Sequence, residues 1–464
     1  MAEKIIVGLD IGTTKIACFI GKKNDEGKIE ILGYGRTPSS GIERGQVISI
    51  IGAADSIKKA VKSASEMAGG YEVKEVYVGI AGQHIKSIRS NGSIMVPPEH
   101  PYVLQEDLDN LIGQQYQLML NPGEEIVHVF PQKYIADDQE LLYTHPVGVP
   151  CAKLECQFHI VTGDVKEIKK IYSAVIKAGL EVKQLVLEPI ASSRAVLNSM
   201  DTEAGVALVD IGGGTTDIAI FQDKVIRHTA VLPLAGNVIT RDIQEGCTVL
   251  RHQAETLKTR FGNCLPTDVS ADDYISIPGY ANSASREISM KTLAGIVKAR
   301  TVMILDLVNH EIEMSEYKNK LIAGIMLTGG GSMLANIEKL CEYTTGLNTI
   351  VGKPDALLSN NTPQELKNPM YSTGIGLLAY GIEAEENAPE PEPEPEPIPE
   401  STPEPEYIEE EEEENPKSSK KEKKKKEPKE PKFKKAAVNV SDAVKGWLNK
   451  FIGEDIDTID ESED

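Results

Sequence analysis

An α/β chain of several subdomains, built around a duplicated β-hairpin and followed by a non-globular tail, is predicted by three observations. A strand–turn–strand pattern occurs twice, about 200 residues apart. A third glycine cluster joins an apolar strand to a helix, and the composition changes abruptly near Glu383. The first ~380 residues have ordinary globular composition and are too long for one small core.

The two hairpins are VGLDIGTTKIACFIGKK at 7–23 and VALVDIGGGTTDIAIFQDK at 206–224. Each reads as an apolar strand, Asp-Ile-Gly, a Gly/Thr turn and a second alternating strand. Glycine removes the Cβ and leaves successive N–H groups free to face an anion. Gly12, Thr13 and Thr14 form one candidate nest, and Gly212, Gly213, Gly214, Thr215 and Thr216 the other. Asp10 and Asp210 end the first strands. A phosphate would be repelled there unless a cation lay between, and Mg²⁺ held largely through water by Asp10 and Asp210 suits that role. A single D-x-G is an ordinary turn; its recurrence with matching flanks argues for a site. No G-x-x-x-x-G-K-[ST] is present, so this is not a P-loop. The third cluster, LIAGIMLTGGGSML at 321–334, reads as a buried strand, then Gly329, Gly330 and Gly331, then a helix beginning near Ser332. It could bring backbone against a base or an α-phosphate.

VGLDIGTTK, VDIGGGTTD and GIMLTGGGSML resemble the phosphate 1, phosphate 2 and adenosine motifs of the actin, Hsp70 and sugar-kinase superfamily. EEIVHVFPQKYIADDQE, PVGVPCAKLECQFHIVT, LEPIASSRAVL, LPLAGNVITRDI and YSTGIGLLAYG narrow the resemblance to the FtsA family. It covers residues 1 to about 382 and resumes in the C-terminal segment. It implies a two-lobed actin-like fold of duplicated RNase H-like halves, with ATP and Mg²⁺ in the cleft. The implied subdomains are 1A at 1–81, 163–197 and 366–383, an inserted 1C at 82–162, 2A at 198–237 and 300–365, and 2B at 238–299. From pattern alone, 82–162 is only mixed strand and helix.

Glu188 precedes Pro189, a favoured first helical residue, at a strand-to-helix junction. A carboxylate there also suits the helix dipole, while the superfamily resemblance places it by the attacking water. Glu255 and Lys258 share a helix face, as surface ion pairs do; their A-E-x-x-K spelling resembles the ribose-contacting helix of bacterial actins. Gly236 and Asn237 open the helix after the second hairpin and are further candidates for the phosphate cleft. Lys15 either neutralises phosphate or is a solvated strand residue.

The formal charge of −22 is mainly a tail property. Residues 383–414 hold 16 acidic and no basic residues, 417–435 hold 11 Lys against 3 Glu, and 438–464 hold 8 acidic against 2 Lys. Nothing in the body reads as a nucleic-acid surface. Six scattered Cys without metal spacing suggest a reduced, cytosolic protein. Neither a signal-peptide core nor an apolar run of ~18 residues occurs, so export and membrane spanning are not expected. Residues 384–437 read as an extended Pro/Glu then Lys-rich linker. In 438–453, Val444, Trp447, Leu448, Phe451 and Ile452 form one apolar helix face, with Ser441 and Gly453 as caps. The preceding Lys run would favour an anionic membrane surface; an acidic tail at 454–464 follows.

The family resemblance implies a peripheral protein on the cytoplasmic face of the membrane at the division septum. It would form filaments, receive the C-terminal peptide of FtsZ through 2B, and meet later division proteins. ATP would act chiefly as an assembly switch, with at most slow hydrolysis. A related pilus-assembly adaptor and a sugar kinase are the alternatives; a sugar kinase gives no reason for a membrane helix.

Overall fold

The computed structural model describes residues 4–141, 145–278 and 285–387. Two five-stranded sheets repeat one topology within them. In the first, the order is Glu181–Leu187, Glu75–Ile80, Ile6–Ile11, Lys15–Lys23, Ile29–Pro38. In the second it is Thr349–Val351, Gly324–Thr328, Val206–Ile211, Thr216–Gln222, Val225–Leu232. Each is an antiparallel meander extended by two parallel strands. This is the two-lobed α/β fold of duplicated halves expected from the sequence.

Both leading strands, Ile6–Ile11 and Val206–Ile211, are buried at every residue. Unbroken apolar strands form where both faces of a sheet are covered. In the first lobe, one face packs on the helices Ile50–Met67 and Val165–Lys177 through Leu9, Ile57, Ala60 and Ile171. The other packs on Glu188–Val196 and Ser372–Glu386 through Phe19, Ala191, Ile375 and Leu378. The second-lobe core joins its sheet to the helices Gly236–Gly246, Met290–Met314 and Ile337–Thr345.

Between Glu75–Ile80 and the helix Val165–Lys177 the chain builds a separate four-stranded sheet, ordered Ile85–Met95, Lys153–Asp164, Glu124–Ala136, Gln139–Glu140. The helix Gln105–Gln115 covers it through Leu108 and Leu111, packed with Leu154 and Phe158. This insertion is fastened to both lobes. His128 Nε2 accepts from the Leu187 backbone N–H at 3.2 Å, in the first lobe. His159 Nε2 meets Thr229 Oγ1 at 3.0 Å, in the second. Phe130 stacks between the two imidazoles. Across the same seam Gln132 Nε2 donates to Ile226 O and Arg227 Nη1 donates to Gln132 O, each at 2.7 Å.

The linker, the 438–453 segment with Val444, Trp447, Leu448, Phe451 and Ile452, and the acidic tail lie outside the described residues. Among the described residues no helix is long and apolar enough to cross a membrane, and the six cysteines are free and buried.

Burial lowers His128 and His159 to about 4, His159 with a smaller push from His228 and Arg89. Both rings are therefore neutral in the folded protein and take up protons more readily when released. Their stabilisation is complete above the free-histidine value of 6.5 and is lost as pH falls towards 4. Urea unfolding is expected to weaken by about 2–3 kcal/mol per histidine between pH 7 and 4.5. His128→Gln, which keeps an acceptor for Leu187, should flatten that slope; an unchanged slope would show that the seam does not carry it.

Candidate functional site

The registers superimpose the two hairpins residue for residue. Asp10 lies opposite Ala17 and Ile11 opposite Ile16; Asp210 lies opposite Asp217 and Ile211 opposite Thr216. The turns 12–15 and 212–215 are therefore equivalent, one from each lobe, and they face each other in contact. A Cβ on Gly213 would stand 1.9 Å from Thr14 Oγ1, and one on Gly214 2.4 Å from Thr13 Oγ1. Thr13 Oγ1 also accepts from the Gly45 N–H at 3.1 Å, tying in the turn before the first helix.

Four buried or part-buried carboxylates gather behind the turns around one ammonium. Lys15 Nζ donates to Asp10 Oδ2 at 2.7 Å. Burial opposes its charge, but Asp10 outweighs that and holds the Lys15 pKa above its ordinary value, with smaller help from Asp210 and Glu188. Lys15 is thus a part-buried, ion-paired cation and not a freely solvated strand residue. Asp210 Oδ2 accepts from Ser192 Oγ at 2.6 Å and Thr373 Oγ1 at 3.2 Å. Burial nevertheless raises Asp210. Glu188 begins its helix with the carboxylate over Gly79, where a Cβ would meet its Cγ at 3.1 Å. Burial first, then the charges of Asp217, Asp10 and Asp210, push Glu188 well above the carboxylate range.

Asp217 was not singled out by the sequence reading. It is the second residue of its strand, where the first hairpin has Ala17, and burial followed by the Asp210 charge pushes it up to about 8. Its Oδ2 accepts from Thr215 Oγ1 at 3.0 Å, while Oδ1 is buried without a partner. The legible signal is a charged residue directly before the apolar, buried run Ile218, Ala219 and Ile220. Ser192 and Thr373, which hold Asp210, lie within the segments LEPIASSRAVL and YSTGIGLLAYG, where nothing in the local sequence marks either residue individually.

This all-oxygen cluster, with more carboxylates than cations and an orphaned Asp217 Oδ1, fits a hard divalent ion such as Mg²⁺. Among the described residues no three His, Cys, Asp or Glu side chains converge into a closed metal cage.

Gly236 and Asn237 stand beside the second turn, but their N–H groups are taken: they donate to Gly212 O at 3.1 Å and Gly213 O at 2.8 Å. They brace the turn. Thr216 is likewise engaged, donating to Leu234 O at 2.7 Å. Glu255 and Lys258 are not a free surface pair. Lys258 Nζ reaches Glu255 Oε2 at 2.9 Å, Thr240 Oγ1 at 2.8 Å and Gly236 O at 3.1 Å, linking their helix to that brace.

The third glycine turn packs on the second hairpin. A Cβ on Gly329 would lie 2.2 Å from Asp210 Oδ1, and one on Gly331 2.4 Å from Ile211 Cγ2. The expected helix near Ser332 is corrected: Gly330–Met333 is a short 3₁₀ turn closed by Ser332 Oγ on Gly329 O, and the α-helix starts at Ile337. Asn336, with φ of 61°, breaks the chain direction between them.

A family model described as cell division protein FtsA matches residues 207–376, and one described as the SHS2 domain inserted in FtsA matches 82–162. The cell division protein FtsA of Pseudomonas aeruginosa is 36% identical over 384 residues, 83% of this chain and 91% of that protein. That of Escherichia coli strain K12 is 34% identical over 392 residues, 83% and 92% respectively. Among solved structures, a chain of the PilM–PilN type IV pilus biogenesis complex shares the fold with TM-score 0.58 at 15% identity, covering 81% of this chain and 98% of that one.

Gly329 has φ of 82°, and a Cβ there would also sit 2.6 Å from Ile211 O. Gly329→Ala is expected to cost about 1–3 kcal/mol, from the left-handed backbone and the crowding on Asp210. Thermal melts check this; an unchanged Tm would mean that the turn relaxes freely.

Proposed function

The chain belongs to the FtsA family of cell-division proteins, and on that premise we propose that it is an ATP-binding switch that assembles beneath the membrane and tethers FtsZ filaments there. The observation that carries the nucleotide part is the meeting of equivalent glycine turns from both lobes over one cluster of Asp10, Asp210, Glu188 and Lys15. Binding would part the touching turns, and a phosphate chain between them would then face backbone from both sides, with the Lys15 ammonium close behind the first turn. Asp10 and Asp210 would hold Mg²⁺, mostly through water, and the ion would neutralise charge that the carboxylates otherwise repel. The Gly329–Ser332 turn, stacked on the second hairpin, would flank the adenosine side, with Glu255 and Lys258 towards the ribose.

Glu188 is offered as the group that orients an attacking water. Burial and the charges of Asp217, Asp10 and Asp210 raise its affinity for a proton. ATP would serve as an assembly signal more than as fuel. The remaining parts rest on the family: filaments of the chain itself, the FtsZ C-terminal peptide on 2B at 238–299, later division proteins, and an anionic membrane surface contacted through 438–453. A helix there from about Ser441 to Ile452 would be roughly 18 Å long at ~1.5 Å per residue, too short to span a ~30 Å hydrocarbon core, so it would lie in the interface.

Isothermal titration with Mg-ATP tests the site. Asp210→Ala and Gly213→Val should each weaken binding by tenfold or more, about 1.4 kcal/mol or more, with circular dichroism unchanged; wild-type affinity in both variants would refute the assignment. Glu188→Ala should bind ATP within a few-fold of wild type while any turnover falls by about 10²-fold. Equal loss of binding and turnover would mark Glu188 as a helix-start residue only.

Trp447 is the single Trp of the chain, so its fluorescence reports on the tail alone. A blue shift is expected with anionic vesicles, diminished by salt and abolished with co-sedimentation by Leu448→Glu. Vesicle binding that survives removal of 438–464 would place the membrane contact elsewhere. Capture of an FtsZ C-terminal peptide separates this reading from a pilus adaptor.

A further inference from the structure

The turn Pro369–Tyr371 and the first residues of the helix Ser372–Glu386 reach the third glycine turn, Lys15 and Asp210 within five consecutive residues. Pro369 O accepts from the Gly329 N–H at 3.3 Å. Ser372 Oγ meets Thr328 Oγ1 at 2.7 Å, and Thr373 Oγ1 donates to Asp210 at 3.2 Å. Between them, Tyr371 turns its ring face to the Lys15 ammonium, 5.6 Å from the ring centroid.

A buried tyrosine ordinarily needs only a partner for its hydroxyl. Tyr371 has two: Arg36 Nη1 donates to it at 2.9 Å, and Tyr34 Oη lies 2.6 Å away. Phe19 packs edge-on against the ring at 5.8 Å between centroids. These contacts fix the ring plane from the lobe-one sheet, and the ring remains aimed at a cation. We propose that Tyr371 is a positioning residue for Lys15, holding the ammonium by a cation–π contact at the height of the first turn so that it meets an incoming phosphate chain with little reorganisation.

This rests on the ATP reading above. In the structure, Asp10 is the anion bonded to Lys15. Once phosphate oxygens occupy the turn, the ammonium must be shared between them and Asp10, and the aromatic face is the contact that need not change. A cation over a desolvated ring is held by the ring quadrupole, and a preorganised charge loses less freedom on binding than a free lysine side chain.

The test replaces Tyr371 with phenylalanine and its mono-, di- and trifluoro analogues, which keep shape while draining the ring quadrupole, and measures Mg-ATP affinity by titration. Affinity is expected to fall stepwise with fluorination, by about tenfold in total, with Tm in the absence of ATP constant across the series. The same series in a Lys15→Met background should have no slope. A flat series in a protein that binds Mg-ATP, or an equal slope without Lys15, would overturn the proposal. Failure of the unsubstituted protein to bind Mg-ATP would instead sink the nucleotide reading, and this one with it. Tyr371→Leu, if it folds, should weaken binding at least as much as the trifluoro analogue; a smaller loss would also count against the ring.

Discussion

The packing of carboxylates from two lobes around a single lysine is the constraint on which the rest of the site depends. Asp10, Asp210, Asp217 and Glu188 come from three separate segments, and Lys15 supplies the balancing charge. Buried carboxylates are costly unless they are paired, hydrogen-bonded or protonated. Each device is used here: Lys15 on Asp10, Ser192 and Thr373 on Asp210, Thr215 on Asp217, and raised proton affinity on Glu188 and Asp217. Such an arrangement is held by the sheets around it and is suited to a cation arriving with an anionic ligand.

Two structural links keep that geometry. One is the segment 369–373, which reaches the third glycine turn, Lys15 and Asp210 within a few residues and continues into a helix packed on Glu188–Val196. The other is the insertion. It is distant from the glycine turns in sequence, yet His128 fastens it to the strand that leads directly into Glu188, and His159 fastens it to the outer strand of the second lobe. Movement of the insertion must therefore be felt at both lobes.

Much of this was legible in the chain because it is written locally. The repeated Asp-Ile-Gly and Gly/Thr turns lie within a few consecutive residues, and turn chemistry restricts which residues can stand there. Two copies with matching flanks thus established the duplicated hairpins and placed Asp10 and Asp210 at equivalent strand ends before any coordinates were needed. Only the tertiary structure decided what those residues face. Asp217 joins the cluster because the strand pairing sets it opposite Asp210. Gly236 and Asn237 brace the second turn because its carbonyls reach their N–H groups first. Lys15 is part-buried because Tyr371, more than 350 positions away in the numbering, closes over it. These are contacts between segments far apart in the chain, and their geometry follows from how two sheets and their covering helices pack, which no short stretch of sequence contains.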